Sequence, residues 1–228
     1  MHDGRVHTTY GQFCPVALGA EVFAERWTPL ILRELLNGSH RFNDLHRGLP
    51  RISRALLAQR LVSLERAGLL ERRPGPEYHL TDAGQALRPV IEALGHWGYR
   101  FVASELRAEH LDAGLLMWFV RRRLRTENLP AQRTVVQFQF RPRSRPPAFW
   151  LILRPPDADL CITDPGLDID LYVDAELRAM AHVFLGRLSL STALREGYIE
   201  LNGSAQLRHA FPTWIGISPF ATTQGRKS

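Results

Sequence analysis

The 228-residue sequence contains little cysteine, almost no lysine and no long apolar run. Its two cysteines, Cys14 and Cys161, are too few for a disulfide framework and form no C-x-x-C pair, so we expect no structural metal and no cofactor. No apolar stretch reaches the roughly 18 residues that span a bilayer, and the first residues lack the apolar core of a signal peptide. We therefore expect a cytoplasmic protein without membrane contact.

The sequence motifs of zinc proteases, serine hydrolases, Walker ATPases and dinucleotide-binding enzymes are absent, which argues against an enzyme.

The charge that is present is mainly arginine. Lys227 is the only lysine among 29 basic residues, which stand against 23 acidic residues and give a net charge of +6. The stretch from Arg41 to Arg73 contains eight arginines and three acidic residues, so most of the excess lies there. A local basic excess favours a polyanionic partner, and we expect that partner to be double-stranded DNA.

The first half of the chain is predicted to be helical, with one hairpin. Helices are expected at residues 16–23, from Thr28-Pro29 onward with Thr28 as the N-cap, at 42–47, and from an N-cap at Ser53. Leu57, Leu61 and Leu64 recur at i, i+4 and i+7 and define the buried face of that last helix. Strands at 69–73 and 77–80 enclose Pro-Gly-Pro, and one long helix is predicted over 82–102.

The second half changes to extended patterns. Strands are predicted at 133–140, 148–153, 160–163 and 168–174, helices at 175–185 and 189–196, a strand at 198–201, a turn at Asn202-Gly203 and a last helix at 204–214. Alternation at 168–174 places Ile169, Leu171 and Val173 on one face and aspartates on the other. The chain is therefore predicted to have an α+β fold with two domains, residues 1–105 and 106–228.

The helix and hairpin order of the first domain is that of a winged helix-turn-helix. Several motifs in it closely resemble the HxlR family of bacterial transcription regulators: Cys14-Pro15, the run from Glu25 to Leu35, Arg41 to Leu45, Ile52-Ser53, Leu64 to Leu69, and Tyr78 to Gly84. The resemblance covers about ninety residues and implies a homodimer that binds an inverted-repeat operator. The contact surfaces it implies are residues 83–102 and 14–23. The predicted wing departs from the family because its tip is shorter.

The helix that begins at Ser53 is the predicted recognition helix, since short and polar side chains lie opposite its leucine stripe. Gln59 can pair with adenine, and Arg54 can reach guanine or a phosphate. The predicted DNA-contacting residues are Thr28, Arg41, Asn43, Arg51, Ser53, Arg54, Ala55, Ala58, Gln59, Ser63, Arg72 and Arg73. Of these, Thr28, Arg41, Asn43 and Arg51 are assigned to phosphates, and the last two to the wing.

Cys14 has two interpretations. It packs as a small apolar residue at the dimer contact, which we take first, or it is a thiol sensor, as the cysteine at this motif is in some family members. Cys161 lies in an apolar strand and is interpreted as buried and inert.

The end of the second half weakly resembles the sterol-carrier-protein fold, in which helices close over a curved sheet around an apolar tunnel. The residues that carry this resemblance are Gly186, Leu188, Leu190, Ala193, Leu194, Gly197, Ile199, Leu201 and Gly203. It implies a small hydrophobic effector held by Phe149, Trp150, Tyr172, Met180, Phe184, Phe211 and Trp214. The aspartates from Asp157 to Asp174 lack calcium-loop spacing and are interpreted as solvated charge.

The leading hypothesis is a regulator whose first domain binds an operator as a dimer and whose second domain binds an apolar effector. Three alternatives remain open. The second domain extends the dimer without binding a ligand, sensing runs through Cys14, or the chain carries lipid and binds DNA only secondarily.

Overall fold

The structure is a computed structural model that describes residues 9–102 and 106–221. The chain folds as two compact units that divide between Leu94 and Gly95. This division lies inside a helix, ahead of the predicted domain boundary near residue 105. No helix in the two described ranges is long and apolar enough to cross a membrane.

The first unit has the predicted order of helices and hairpin. Its elements are α1 (Pro15–Phe23), α2 (Thr28–Leu36), α3 (Phe42–Arg47), α4 (Arg54–Arg66), β1 (Leu70–Arg73), β2 (Glu77–Leu80), α5 (Asp82–Gln85) and the start of α6 (Arg88–Phe101). Leu57, Leu61 and Leu64 are buried in its core, as their spacing predicts. Ile31 and Leu45 pack in the same cluster, so α2, α3 and α4 share one apolar centre.

The single long helix predicted over residues 82–102 is wrong, because the chain breaks between α5 and α6. At the break, the Leu87 amide donates to the carbonyl of Gly84, a tighter bond than the α-helical one. Pro89 explains the break, because in a continuous helix its missing amide hydrogen would leave the Gln85 carbonyl unbonded and its ring would crowd that carbonyl. It is tolerated as the second residue of the new helix.

The second unit contains the remainder of α6 and a five-stranded sheet with helices. Its further elements are α7 (Ala113–Arg122), β3 (Thr134–Arg141), β4 (Ala148–Arg154), β5 (Asp157–Cys161), β6 (Leu171–Glu176), α8 (Leu177–Phe184), α9 (Leu190–Arg195), β7 (Ile199–Gly203) and α10 (Ala205–Trp214). The strand order is β5-β4-β3-β6-β7, and every pair is antiparallel except β3 with β6. Ser189 and Ser204 accept hydrogen bonds from the first turns of α9 and α10 and so act as N-caps.

The helices cover one face of this sheet. Phe138, Phe149 and Val173 point to that face and pack with Met180 and Trp214 in the main core. A smaller cluster lies on the opposite face, where Val135, Ala148 and Trp150 are covered by the segment that carries Leu167 and Ile169. The sheet is therefore buried completely on one face and only in part on the other.

Several predicted boundaries in this unit need correction. β5 begins and ends earlier than residues 160–163, β6 starts only at Leu171, and Asn202 and Gly203 belong to β7 rather than to a turn. Ile169 does not share a face with Leu171, because Asp170 turns the chain there. The Asp170 amide donates to the Val135 carbonyl, and the Asp170 carboxylate accepts a hydrogen bond from the Val135 amide at 2.8 Å.

Candidate DNA-binding surface

Helix α4 is fixed at its start by a cap and along its length by the core. The hydroxyl oxygen of Ser53 accepts a hydrogen bond from the Leu56 amide at 3.2 Å, which satisfies a free donor of the first turn. The buried leucines of α4 then set the rotation of the helix, because they must face α2 and α3. The predicted N-cap is confirmed, and the opposite face of α4 is turned to solvent.

The solvent face of α4 carries the side chains that the sequence assigns to base contact. Arg54, Ala55, Ala58 and Gln59 are exposed. Arg54 donates to the Asn43 side-chain oxygen at 3.1 Å, and its guanidinium lies over the Phe42 ring. The side-chain amide of Gln59 makes no hydrogen bond within the described part of the chain, so it is available to a partner.

Ser63 lies farther along the same helix and differs from the other predicted contacts. It is partly buried, and its hydroxyl donates to the Gln59 backbone carbonyl at 3.1 Å. This bond to the helix backbone occupies the hydroxyl hydrogen of Ser63, so only the hydroxyl oxygen remains as an acceptor. The role predicted for Ser63 remains a prediction.

Basic and polar side chains flank the start of α4. Arg51 is exposed, and its guanidinium forms no ion pair with any residue in the described ranges. The Arg41 side chain is 71% exposed and pairs with Glu77 at 3.3 Å. Asn43 is exposed and holds Arg54 through the bond described above. These groups present positive charge and hydrogen-bond donors beside the exposed face of α4.

The assignment of Thr28 to phosphate contact is wrong. Thr28 is 1% exposed, and the residue before it, Trp27, occupies the N-cap position with a left-handed φ of 79°. Thr28 is thus the first residue of α2, where its amide donates to the Glu25 carbonyl. An enclosed side chain cannot reach a phosphate.

The wing is the hairpin of β1 and β2, which pair from Leu70 with Leu80 to Arg73 with Glu77. Gly75 at the tip has a φ of 93°, a conformation that suits glycine. The predicted wing arginines are both exposed and ion-paired: Arg72 contacts Glu65 at 3.3 Å, and Arg73 contacts Glu71 at 2.8 Å. For either arginine to contact DNA, its ion pair with the glutamate would have to break and be replaced by one with a phosphate.

A side-chain group at the base of the wing was missed by the sequence reading. The rings of His40 and His79 stack with 4.2 Å between their centres, and Glu77 contacts both His79 and Arg41. The hydrogen bond with His79 and then that with Arg41 lower the pKa of Glu77. No local pattern signals this group, since its members come from two distant segments that the isolated pairing of Arg41 with Glu77 brings together.

Cys14 is exposed at the N-cap of α1. Hydrogen bonds from the backbone of Ala17, and to a lesser extent of Val16, lower the pKa of its thiol. α1 has no buried residue, and Phe13, Val16 and Leu18 are more than half exposed. The thiol is therefore both accessible and placed on an apolar surface, so the geometry is compatible with either interpretation of this cysteine.

Comparison with known proteins identifies this architecture. Residues 22–106 match the model of the HxlR-like helix-turn-helix family. The HTH-type transcriptional regulator YvaP of Bacillus subtilis is 35% identical over 98 residues, which are 40% of this chain and 91% of YvaP. The chain belongs to the HxlR family. YodB, an HTH-type transcriptional regulator of the same organism, is 35% identical over 95 residues, which are 39% of this chain and 85% of YodB. A crystal structure of quinone-bound YodB aligns with a TM-score of 0.36, at 34% identity, and covers 39% of this chain and 99% of that one.

The predicted winged helix-turn-helix and its role in transcription are thus confirmed for this HxlR-family chain, whose relatives are regulators and not enzymes. The family match ends at residue 106. The resemblance of the second unit to a sterol-carrier protein stays a prediction.

The seven residues predicted to line one ligand pocket do not come together. Phe149, Met180, Phe211 and Trp214 are almost completely buried in the main core, where they pack against neighbouring side chains. Trp150 and Tyr172 lie on the opposite face of the sheet, because each follows a core residue along its strand. Tyr172 is 46% exposed. The assignment of Trp150 and Tyr172 to the same apolar pocket wall as the core residues is therefore wrong.

Phe184 is the predicted residue that does line an apolar groove in the second unit. The groove has a volume of about 140 Å³ and lies between α7, the segment before it, and α8. Phe119 stacks on Phe184 with 5.9 Å between ring centres. Asp112 also lines the groove, and its carboxylate accepts a hydrogen bond from the Leu115 amide at 2.8 Å. The other lining residues are mainly leucine and phenylalanine, so the groove is mainly apolar.

Cys161 is partly buried beside the smaller cluster. Within the described residues, no three histidine, cysteine or acidic side chains are placed to hold a metal ion.

Proposed function

We propose that this HxlR-family regulator acts as a homodimer on an inverted-repeat operator and reads bases with the exposed face of α4. The observation that carries the proposal is the composition of that face: small Ala55 and Ala58 permit close approach, while Arg54 and Gln59 offer paired hydrogen bonds to base edges. Arg51, Arg41 and Asn43 supply the contacts to phosphates that fix the position of the protein without reading sequence. Arg72 and Arg73 serve the wing.

The dimer is proposed from the apolar surface of α1. A nine-residue helix without a buried side chain is too short to be stable by itself, so its exposed Val16 and Leu18 need a partner surface. Val90 and Leu94, one helical turn apart on α6, are also exposed. A second copy that covers these apolar residues would place two α4 helices on successive half-sites of an inverted repeat.

The test of base readout uses an operator found by genome-wide footprinting. Gln59→Ala should weaken operator binding by about 1 to 3 kcal/mol and leave binding to a random duplex nearly unchanged, because only a base contact distinguishes the two DNAs. Gln206→Ala, at an exposed glutamine of α10, is the matched control and should bind both as the wild type does. Equal losses on both duplexes would remove the base-reading role from Gln59.

A small apolar effector in the second unit is part of the same proposal, now placed in the groove between α7 and α8. Leu111, Leu115 and Phe119 line the groove on one side, and Leu177 and Phe184 on the other. Native mass spectrometry of the full chain tests this part directly. We expect the mass of two chains plus a copurified apolar molecule. The Phe184→Ala variant should carry this molecule in a smaller fraction of its dimers. Dimers that never carry a ligand would make the second unit a structural extension.

A second candidate function is thiol sensing, which the exposure and lowered pKa of Cys14 favour. Oxidant would then release the wild type from its operator but not Cys14→Ser. The packing interpretation requires the two proteins to respond equally.

A further inference from the structure

The face of the sheet that the helices leave uncovered contains a polar concavity of about 460 Å³ at strands β3, β6 and β7. Its volume lies within the range of about 300 to 1,000 Å³ that small-molecule sites occupy. The concavity belongs wholly to the second unit and lies on the opposite face of the sheet from the main core. It is therefore separate from the apolar groove.

Strand register builds this concavity from two rows of polar side chains. Gln137, Tyr172 and Asn202 are paired across the three strands and form one row. Gln139, Asp174 and Glu200 form the next row on the same face. Neighbouring members of one row lie on strands about 4.8 Å apart, and the two rows are about 6.7 Å apart along each strand, so a molecule the size of one sugar ring would contact groups of both rows at once.

Arg141 orders the carboxylates at one end of the concavity. Its guanidinium contacts Asp174 at 3.1 Å and Glu200 at 3.2 Å, and it also donates to the Gly197 carbonyl at 3.1 Å. One arginine thus balances part of the negative charge and fixes both carboxylates. These contacts use one oxygen of each carboxylate, which leaves the other oxygen as an acceptor.

The other polar side chains of the concavity have no hydrogen-bond partner in the described part of the chain. The side chains of Gln137, Gln139, Tyr172 and Asn202 make no hydrogen bond to any other residue in the described ranges. Each amide offers two donor hydrogens and one acceptor oxygen, and the phenol can do both. A ligand that matches them must donate and accept at closely spaced positions, as a set of hydroxyl groups does. The half-exposed ring of Tyr172 adds an apolar surface for the carbon face of such a molecule.

We propose that this concavity binds a neutral polyhydroxylated molecule, of the class of a monosaccharide or cyclic polyol. A cationic amine fits less well, because Arg141 already occupies the two carboxylates that would attract it. An apolar ligand fits poorly, because it would remove water from the four side chains that make no hydrogen bond in the described ranges and leave them without a partner.

Saturation-transfer NMR and calorimetry on the full chain test the proposal, with glucose, galactose, arabinose, mannitol and myo-inositol as neutral probes and putrescine as the cationic probe. We expect saturable binding of at least one neutral probe. Asn202→Ala and Tyr172→Phe should each weaken it about 3- to 10-fold, the loss of one hydrogen bond. Gln206→Ala on α10 should leave it unchanged.

Three results would overturn the proposal. They are the absence of saturable binding by every neutral probe, equal binding by the wild type and the Asn202→Ala variant, and binding of putrescine alone. Asn202 is exposed, so its variant should stay folded, and circular dichroism checks this. The readout needs no DNA, so its failure would leave the proposed operator binding untouched.

Discussion

At the scale of single residues, the environment of Cys14 decides what its thiol can do. The backbone hydrogen bonds from Ala17 and Val16 stabilise the thiolate and lower the pKa of the thiol, and they outweigh the smaller effect of burial, which raises it. A lowered pKa means that the reactive thiolate is present from a lower pH than in an unstructured peptide.

Alkylation measures this directly. In a Cys161→Ser background, the rate of reaction of Cys14 with iodoacetamide should rise with pH at a midpoint below that of a peptide of residues 9–20. A midpoint at or above that of the peptide would contradict the stabilising role of the α1 amides. This result concerns only the reactivity of the thiol. Whether the regulator senses oxidant through Cys14 is decided by the comparison of operator binding by the wild type and Cys14→Ser under oxidant.

Other single residues show why burial could not be read from residue type. Thr28-Pro29 has the composition of a helix start, yet Trp27 adopts the left-handed conformation and takes the N-cap position. A strand over 148–153 already places Phe149 and Trp150 on opposite faces of the sheet. Because both faces of this run are apolar, however, its sequence did not show which of the two residues the helices would cover. Which face of a sheet is covered depends on where distant helices pack, and local patterns do not encode that.

At the scale of elements, predictions succeeded where periodicity and capping agreed. The leucine spacing of α4, the serine cap before it and the Pro-Gly-Pro hairpin each specify a local structure, and all three are present. The break between α5 and α6 was missed because the apolar pattern continues across it, although Pro89 is a visible signal. β6 was started too early because Asp170 ends the alternation through a contact with Val135, which is distant in sequence.

Ser53 allows the capping of α4 to be separated from its contact with DNA. Ser53→Ala removes the bond to the Leu56 amide and should cost about 1 kcal/mol of stability. It also removes the hydroxyl that the sequence assigns to DNA contact, so binding to every duplex should weaken by no more than the loss of one hydrogen bond. Ser53→Asp keeps the cap and adds a negative charge at the start of the helix. It should preserve stability but weaken binding to every duplex, because the carboxylate repels phosphate.

Thermal unfolding and fluorescence anisotropy measure the two effects of Ser53 independently. If Ser53→Asp binds DNA as tightly as the wild type, the start of α4 does not approach the phosphate backbone. If Ser53→Ala leaves unfolding unchanged, the hydroxyl does not cap the helix in solution.

At the scale of the whole molecule, charge and chemistry are divided between the two units. The segment 41–73, with its excess of arginine, lies in the unit that matches the HxlR family, and its basic side chains flank the exposed face of α4. The second unit offers an apolar groove and a polar concavity and lies almost entirely beyond the family match. This division agrees with the proposed function, in which the first unit binds DNA and the second binds an effector.

The central claim is that the exposed face of α4 contacts DNA, and a matched pair of alanine-to-glutamate variants tests it. Ala55 and Ala205 are both exposed and lie in the first turn of a helix, α4 and α10, where glutamate is well tolerated. Fluorescence anisotropy with an operator duplex should show Ala55→Glu weakened at least about 100-fold, since a buried like charge at an interface costs several kcal/mol. Ala205→Glu should bind as the wild type does. Full affinity of a folded Ala55→Glu protein would contradict the account.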